Sequence, residues 1–196
     1  MRTLLVVALL AAGVTSLSYG DEGTPSTGHE NGEGAQGRVL KVFDGKGKIV
    51  GPLTSSGSTD GVVLTVSGIA TFVAISRPAN ATTGQYPASQ YVWTDIGGQY
   101  PTTDCSGPTV ISGLPAAPPE ILRPSIVLRQ GASATLFIAP DAPTTTVTIQ
   151  SASSDGACQT YGTNPSVPPV FTENAWRVEK TYSLTQNYPE PLTIHY

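Results

Sequence analysis

The sharpest chemistry in this sequence belongs to its two cysteines, Cys105 in TTDCSGP and Cys158 in SSDGACQT. Two thiols can serve as a disulfide, a nucleophile or metal ligands, and their surroundings discriminate among these uses. A nucleophilic thiolate needs an imidazole or cation beside it to lower its pKa. After residue 37 the only histidine is His195, the penultimate residue. Chain ends fray, so His195 is also a poor general base for a Ser-His-Asp triad, and no serine lies in G-x-S-x-G. Zinc would require clustered ligands, yet neither H-x-H nor C-x-x-C spacing occurs. The stretch DGKGK places lysines where a calcium loop needs carboxylates. It also lacks the G-x-x-x-x-G-K-[ST] spacing that cradles phosphates. No metal, cofactor or catalytic residue is therefore expected. The remaining use is a single disulfide, Cys105–Cys158, each half at a boundary between strand and turn.

Carboxylates are the other reactive class. Ten acids lie in 38–196, and a glycosidase would need two of them about 5 to 10 Å apart. Sequence alone cannot pair them. Asp95 and Asp104 lie near Tyr91, Trp93 and Tyr100, and this is the one grouping suited to handling sugar. Trp93, within YVWTD, reads as core rather than as a sugar platform. Tyr86, Tyr100, Tyr161 and Tyr188 fall in loops, where aromatic rings can form a binding surface. Asn80-Ala81-Thr82 has the N-glycosylation acceptor pattern, read here as coincidental.

The elements that must position these groups are strands. Charged residues make up 12% of the chain, against roughly 25% in average proteins, while Gly (21) and Pro (17) are frequent. Low charge with many turn formers and much Thr, Ser and Val points to an all-β protein. With 10 Lys+Arg against 14 Asp+Glu, clustered cations for nucleic acid or an anionic membrane are not expected. Residues 1–20, MRTLLVVALLAAGVTSLSYG, have the basic start, short apolar run and small-residue end of a secretory signal peptide. The apolar run is too short to span a bilayer, so a soluble product, secreted or periplasmic, is expected. Its oxidising compartment favours the disulfide. Residues 21–37 contain no aliphatic side chain larger than Ala35 and are expected to be a flexible glycine-rich tail.

From 38 to 196 a single β domain is expected. RVLKVF and KIVGPL flank the glycine turn Asp44-Gly45-Lys46-Gly47, in which Asp-Gly is a favoured hairpin dipeptide because both turn positions ask for positive φ. Val62–Val66 and Ile69–Ile75 surround Ser67-Gly68, and neither face of the second strand is charged, which places the pair centrally. Residues 77–90 form a loop and YVWTD a strand. The proline-rich 113–124 is a crossover with room for one helical turn at PPEILRP. SIVLRQGASATLFIAP reads as a hairpin, and TTTVTIQSAS as one strand that turns at SSDG into CQTYG. WRVEKTYSL and PLTIHY complete about nine or ten short strands, the pattern of an antiparallel β-sandwich or barrel-like domain with one internal disulfide.

KVFDGKGKIVGPL, TDCSG, IQSASSDGACQ and PLTI, in this order, resemble secreted bacterial β-rich proteins of uncharacterised function. These share a V-x-D-x-x-G-x-x-V-G-P hairpin, a D-C-x-G turn and a second downstream cysteine. The resemblance covers 38–196, implies a disulfide-linked exported domain and carries over no catalytic residue. Some such proteins have low-complexity or collagen-like stalks, of which 21–37 resembles a short remnant. The expected function is a non-catalytic structural or binding module at or outside the cell surface, meeting a glycan or a protein. The alternatives are a secreted hydrolase acting on carbohydrate and the tip domain of an oligomeric fibre.

Overall fold

Short runs of Val, Thr and Ile between turn residues pair most cheaply with their neighbours in the chain. The computed structural model describes residues 39–112 and 122–196, and its strands follow that rule. The expected signal peptide 1–20, the tail 21–37 and residues 113–121 of the proline-rich crossover lie outside the described residues. Strands β1 (Lys41–Phe43), β2 (Ile49–Ser56), β3 (Thr59–Val66) and β4 (Ile69–Ser76) form successive antiparallel hairpins, and β5 (Val92–Trp93) returns beside β4. Strands β6 (Gly98–Tyr100) and β7 (Val110–Ser112) flank the Cys105 loop, and β8 (Ser125–Gln130) turns into β9 (Ser133–Ile138). Next come β10 (Thr145–Ile149), β11 (Ser151–Ser154), β12 (Ala157–Thr160), β13 (Phe171–Arg177) and β14 (Lys180–Ser183). A single helical turn, α1 (Leu184–Asn187), precedes β15 (Thr193–His195).

The all-β reading holds, with fifteen strands among the described residues where nine or ten were expected. The excess comes from short ladders in stretches read as turn, such as Gly98–Tyr100, and from TTTVTIQSAS, which divides at Gln150. Its first half pairs β13 and its second half pairs β6 and β12.

The first sheet has the order β15-β1-β2-β3-β4-β5. A bridge between Tyr91, just before β5, and Leu192, just before β15, joins its two ends, so the sheet curls round on itself. The second sheet has the order β10-β13-β7-β6-β11-β12. Because β10 and β11 are one continuous run of chain, this sheet also curls back toward its starting strand. The third, β14-β9-β8, is apolar on both faces. Val127, Ala134, Leu136 and Ile138 join the core of the first sheet around Val42, Val62, Leu64, Val73 and Trp93. Alternate residues Ile126, Leu128 and Phe137 pack with Ile111 and Trp176 of the second. The period-2 alternation of a strand is what lets one hairpin serve two cores.

Turn chemistry agrees with the sequence at two sites and departs from it at a third. Ser67-Gly68 (φ 51° and 83°) and Asp155-Gly156 (φ 48° and 79°) are two-residue hairpin turns with both residues in the left-handed region. Between β1 and β2, however, positive φ falls on Gly47 (78°) and not on Asp44 or Gly45. The buried Asp44 carboxylate accepts the backbone N–H groups of Lys46 and Lys48, each at 2.9 Å, which makes a longer turn. Gly45 is needed for close approach instead: a Cβ there would lie 2.8 Å from the Glu190 carbonyl oxygen.

The segment before β15 is clamped. Arg129 donates two hydrogen bonds to Glu190, at 2.7 and 2.9 Å, and one to the Trp93 carbonyl at 3.1 Å. Glu190 in turn accepts the Trp93 backbone N–H at 2.7 Å. The paired fork, with both side chains only 15% exposed, satisfies charges that would otherwise be costly to desolvate. Glu190 holds the Arg129 pKa above its ordinary value.

Cys105 and Cys158 are joined, with Cα atoms 5.9 Å apart. Ser151, fully buried, accepts the Cys105 N–H at 3.1 Å and donates to the Thr102 carbonyl at 2.7 Å. Thr160 donates to the Thr103 carbonyl at 2.6 Å. The Cys105 loop is therefore held to β11 and β12 by hydroxyl groups as well as by sulfur. Among the described residues, no helix is long and apolar enough to cross a membrane.

Candidate functional site

Beyond the Gly61–Ala74 pair, β3 and β4 stop pairing. There β3 continues beside β2 and β4 beside β5, and a cleft of about 600 Å³ is lined by residues from β3, β4, the 77–90 loop and the stretch around β5. Its volume is in the range of small-molecule sites. The floor is the end of β4, with the buried Ile75, and Thr94. One wall is the β2–β3 tip, Ser58-Thr59-Asp60. There the Ser55 hydroxyl donates to one Asp60 carboxylate oxygen at 2.7 Å from the directly opposed strand position and holds that side chain in place.

Arg77, Tyr86 and Tyr91 also line the cleft. Arg77 ends the apolar run of β4. Its Nη2 donates to the Tyr91 hydroxyl at 2.9 Å, and its guanidinium carbon lies 5.0 Å from the centre of the Tyr91 ring. Tyr86 is 65% exposed. The loop that carries it is ordered by Asn80. The Asn80 side-chain oxygen accepts the N–H groups of Thr82 and Thr83, each at 3.0 Å, and its backbone N–H donates to Gln85 at 2.8 Å. Asn is suited to this because its short carboxamide caps its own turn. Gly84 (φ 68°) supplies the left-handed residue that closes it. Tyr86 is thus displayed on a braced loop, which reduces the ordering cost of binding.

The grouping expected from sequence is distributed over several places. Tyr91 lines the cleft. Trp93 is fully buried in the first core, with its indole N–H donating to the Tyr188 carbonyl at 3.2 Å. Tyr100 is buried with its hydroxyl 3.0 Å from that of Ser153, and it borders a second, smaller hollow of about 250 Å³ shared with Cys105, Thr109, Leu128, Gln130 and Phe137. The Asp95 carboxylate accepts the N–H groups of Gly97 at 3.0 Å and Asp155 at 2.7 Å, so it fastens the β11–β12 turn. Asp104 accepts the Ser106 N–H at 3.1 Å, and the Ser106 side chain followed by its N–H holds the carboxyl below its ordinary pKa. His195 stacks on Phe43, ring centres 3.9 Å apart, on the edge of the first sheet. Among the described residues, no group of three or more His, Cys, Asp or Glu side chains is placed to hold a metal ion.

Asp60 and Arg77 were not singled out from the sequence. A signal for Arg77 existed: it is the only charged residue from 61 to 94, and a lone cation ending an apolar strand calls for a partner. Asp60 carried no such signal, because its place in one lining with Arg77 depends on how the β2–β3 hairpin pairs with β4. No protein-family model, no curated protein and no solved structure matches this chain.

Proposed function

We propose that the chain is an exported, non-catalytic binding module whose ligand-contacting face is the cleft beside β5. The observation that carries this reading is Tyr86, a large ring left mostly exposed on an ordered loop above a walled cleft. The acids around the Cys105 loop and β5 support the absence of catalysis, since Asp95 and Asp104 accept backbone N–H groups and Glu190 is paired with Arg129. Export is supported by the formed disulfide, which suits an oxidising compartment, by the composition of residues 1–20, and by the resemblance to secreted β-rich proteins.

The test is an array of cell-surface glycans and proteins probed with the labelled full chain, alongside turnover assays on chromogenic glycosides. Binding that is lost in the Tyr86→Ala, Tyr91→Ala double variant, without turnover, is the expected result. Turnover by the purified chain, or binding indifferent to the double variant, overturns the reading.

A further inference from the structure

The lining of the cleft contains one anion and one cation, Asp60 and Arg77. Among the described residues no ion pair joins them; Asp60 is engaged by Ser55 and Arg77 by Tyr91 and the Ala88 carbonyl. The second Asp60 carboxylate oxygen makes no hydrogen bond among the described residues, and the Arg77 guanidinium has more N–H groups than its partners use. The lining thus offers a free acceptor and free donors with no net charge. The hydroxyl-bearing residues Ser58, Thr59 and Ser76 add groups that can both donate and accept. Tyr86 supplies an exposed ring face, whose negative quadrupole attracts positively polarised C–H groups.

A ligand matching all of this is uncharged, has an apolar C–H face and carries adjacent hydroxyls around its rim. We propose that the cleft binds a neutral oligosaccharide, with one pyranose ring stacked on Tyr86 and its hydroxyls bridging Asp60 and Arg77. This rests on the binding-module reading above and assigns its ligand class. An oligomer charged on every ring cannot direct all its groups to the residue of opposite sign: a polyanion leaves carboxylates beside Asp60 and a polycation leaves ammonium groups beside Arg77, and that like-charge contact opposes binding. The smaller hollow near Cys105 has no charged residue in its lining, so it serves as an internal control.

The experiment is calorimetric titration of the full chain with cello-, xylo-, manno- and chito-oligosaccharides, and with oligomers of galacturonic acid and of glucosamine. At least one neutral series should bind with a Kd below 1 mM, the charged series at least tenfold more weakly. Tyr86→Ala and Asp60→Asn should each weaken the neutral ligand at least tenfold, while Gln130→Ala in the smaller hollow leaves it unchanged. Tyr86 and Asp60 are exposed, and unchanged near-ultraviolet circular dichroism confirms that the variants are folded. No binding by any neutral series, equal or tighter binding by a charged one, or indifference to Tyr86→Ala overturns the assignment. If the array instead shows cleft-dependent binding to protein spots alone, the glycan assignment falls and the binding-module reading stands.

Discussion

The two curled sheets are built from similar strands and stabilised differently. Around the first, thirteen buried apolar residues form one cluster, contributed by its own strands, the β8–β9 hairpin, α1 and Leu192. The curled interior of the second holds three, Val110, Ile149 and Ala175, with Val147, Tyr161 and Phe171 partly buried beside them. Apolar burial at about 25 cal/mol per Å² is therefore concentrated on one side of the molecule. The second sheet has threonine where the first has valine. Thr146 and Thr148 face Asn174 and Thr172 across the β10–β13 ladder on an exposed face, at 3.2 and 3.4 Å. Exposed polar pairs contribute little, and the disulfide and the Ser151 and Thr160 hydrogen bonds are found in that same sheet. A small core and a covalent link occur together because loop closure in the unfolded chain compensates for missing burial.

That contrast can be broken from its stronger side first. Trp93→Ala removes the largest fully buried side chain and its hydrogen bond to Tyr188. It should cost about 3–5 kcal/mol, and because β8 and β9 share this core, chemical denaturation should show the whole domain losing stability in one transition. Replacing both cysteines with alanine comes next, at about 2–4 kcal/mol on the loop-entropy account. Its effect should be largest locally. Hydrogen exchange should accelerate more in β6, β11 and β12 than in β3 and β4; equal acceleration throughout would refute the division between the two sheets.

The smallest expected effect concerns Glu173, on β13 opposite Val147. Burial pushes its pKa up, and its Oε1 has no hydrogen-bond partner among the described residues. A raised carboxyl pKa means that the folded state holds the proton more tightly than the unfolded state. The penalty is absent below the ordinary carboxyl pKa and grows as pH rises through the raised value. Glu173→Gln should therefore raise the melting temperature slightly at pH 7, and the gain should vanish at about pH 4. A larger gain at acidic pH would contradict the assigned cause.

What the sequence conveyed follows the range of the interactions involved. Ser67-Gly68 and Asp155-Gly156 were legible because two adjacent residues decide a two-residue turn. The disulfide was legible because only two cysteines exist. Asp44-Gly45 misled because the outcome depends on Pro189 and Glu190, far along the chain: the Gly45 N–H donates to the Pro189 carbonyl at 2.6 Å. The cleft was only partly legible. Tyr91 and the loop tyrosines stand out as aromatic residues, but Asp60, Arg77 and Tyr86 line one cleft only because the β2–β3 hairpin and the 77–90 loop come together at one end of the first sheet. Asp95 and Asp104, close to aromatics in sequence, were drawn into the Cys105 and β11–β12 turns instead.

The Asn80 turn has a practical bearing on how this protein is produced. Within the Asn80 side chain the carboxamide oxygen is the bracing atom, whereas N-linked modification attaches at the nitrogen. Asn80-Ala81-Thr82 forms an acceptor tripeptide on an exposed surface. A eukaryotic secretory host could thus decorate Asn80 without dismantling its turn, placing a bulky branched chain beside Tyr86. Material from such a host would be folded and oxidised yet screened at its cleft, so Asn80→Asp, which keeps the bracing oxygen, or a prokaryotic host is the sound choice for any binding measurement.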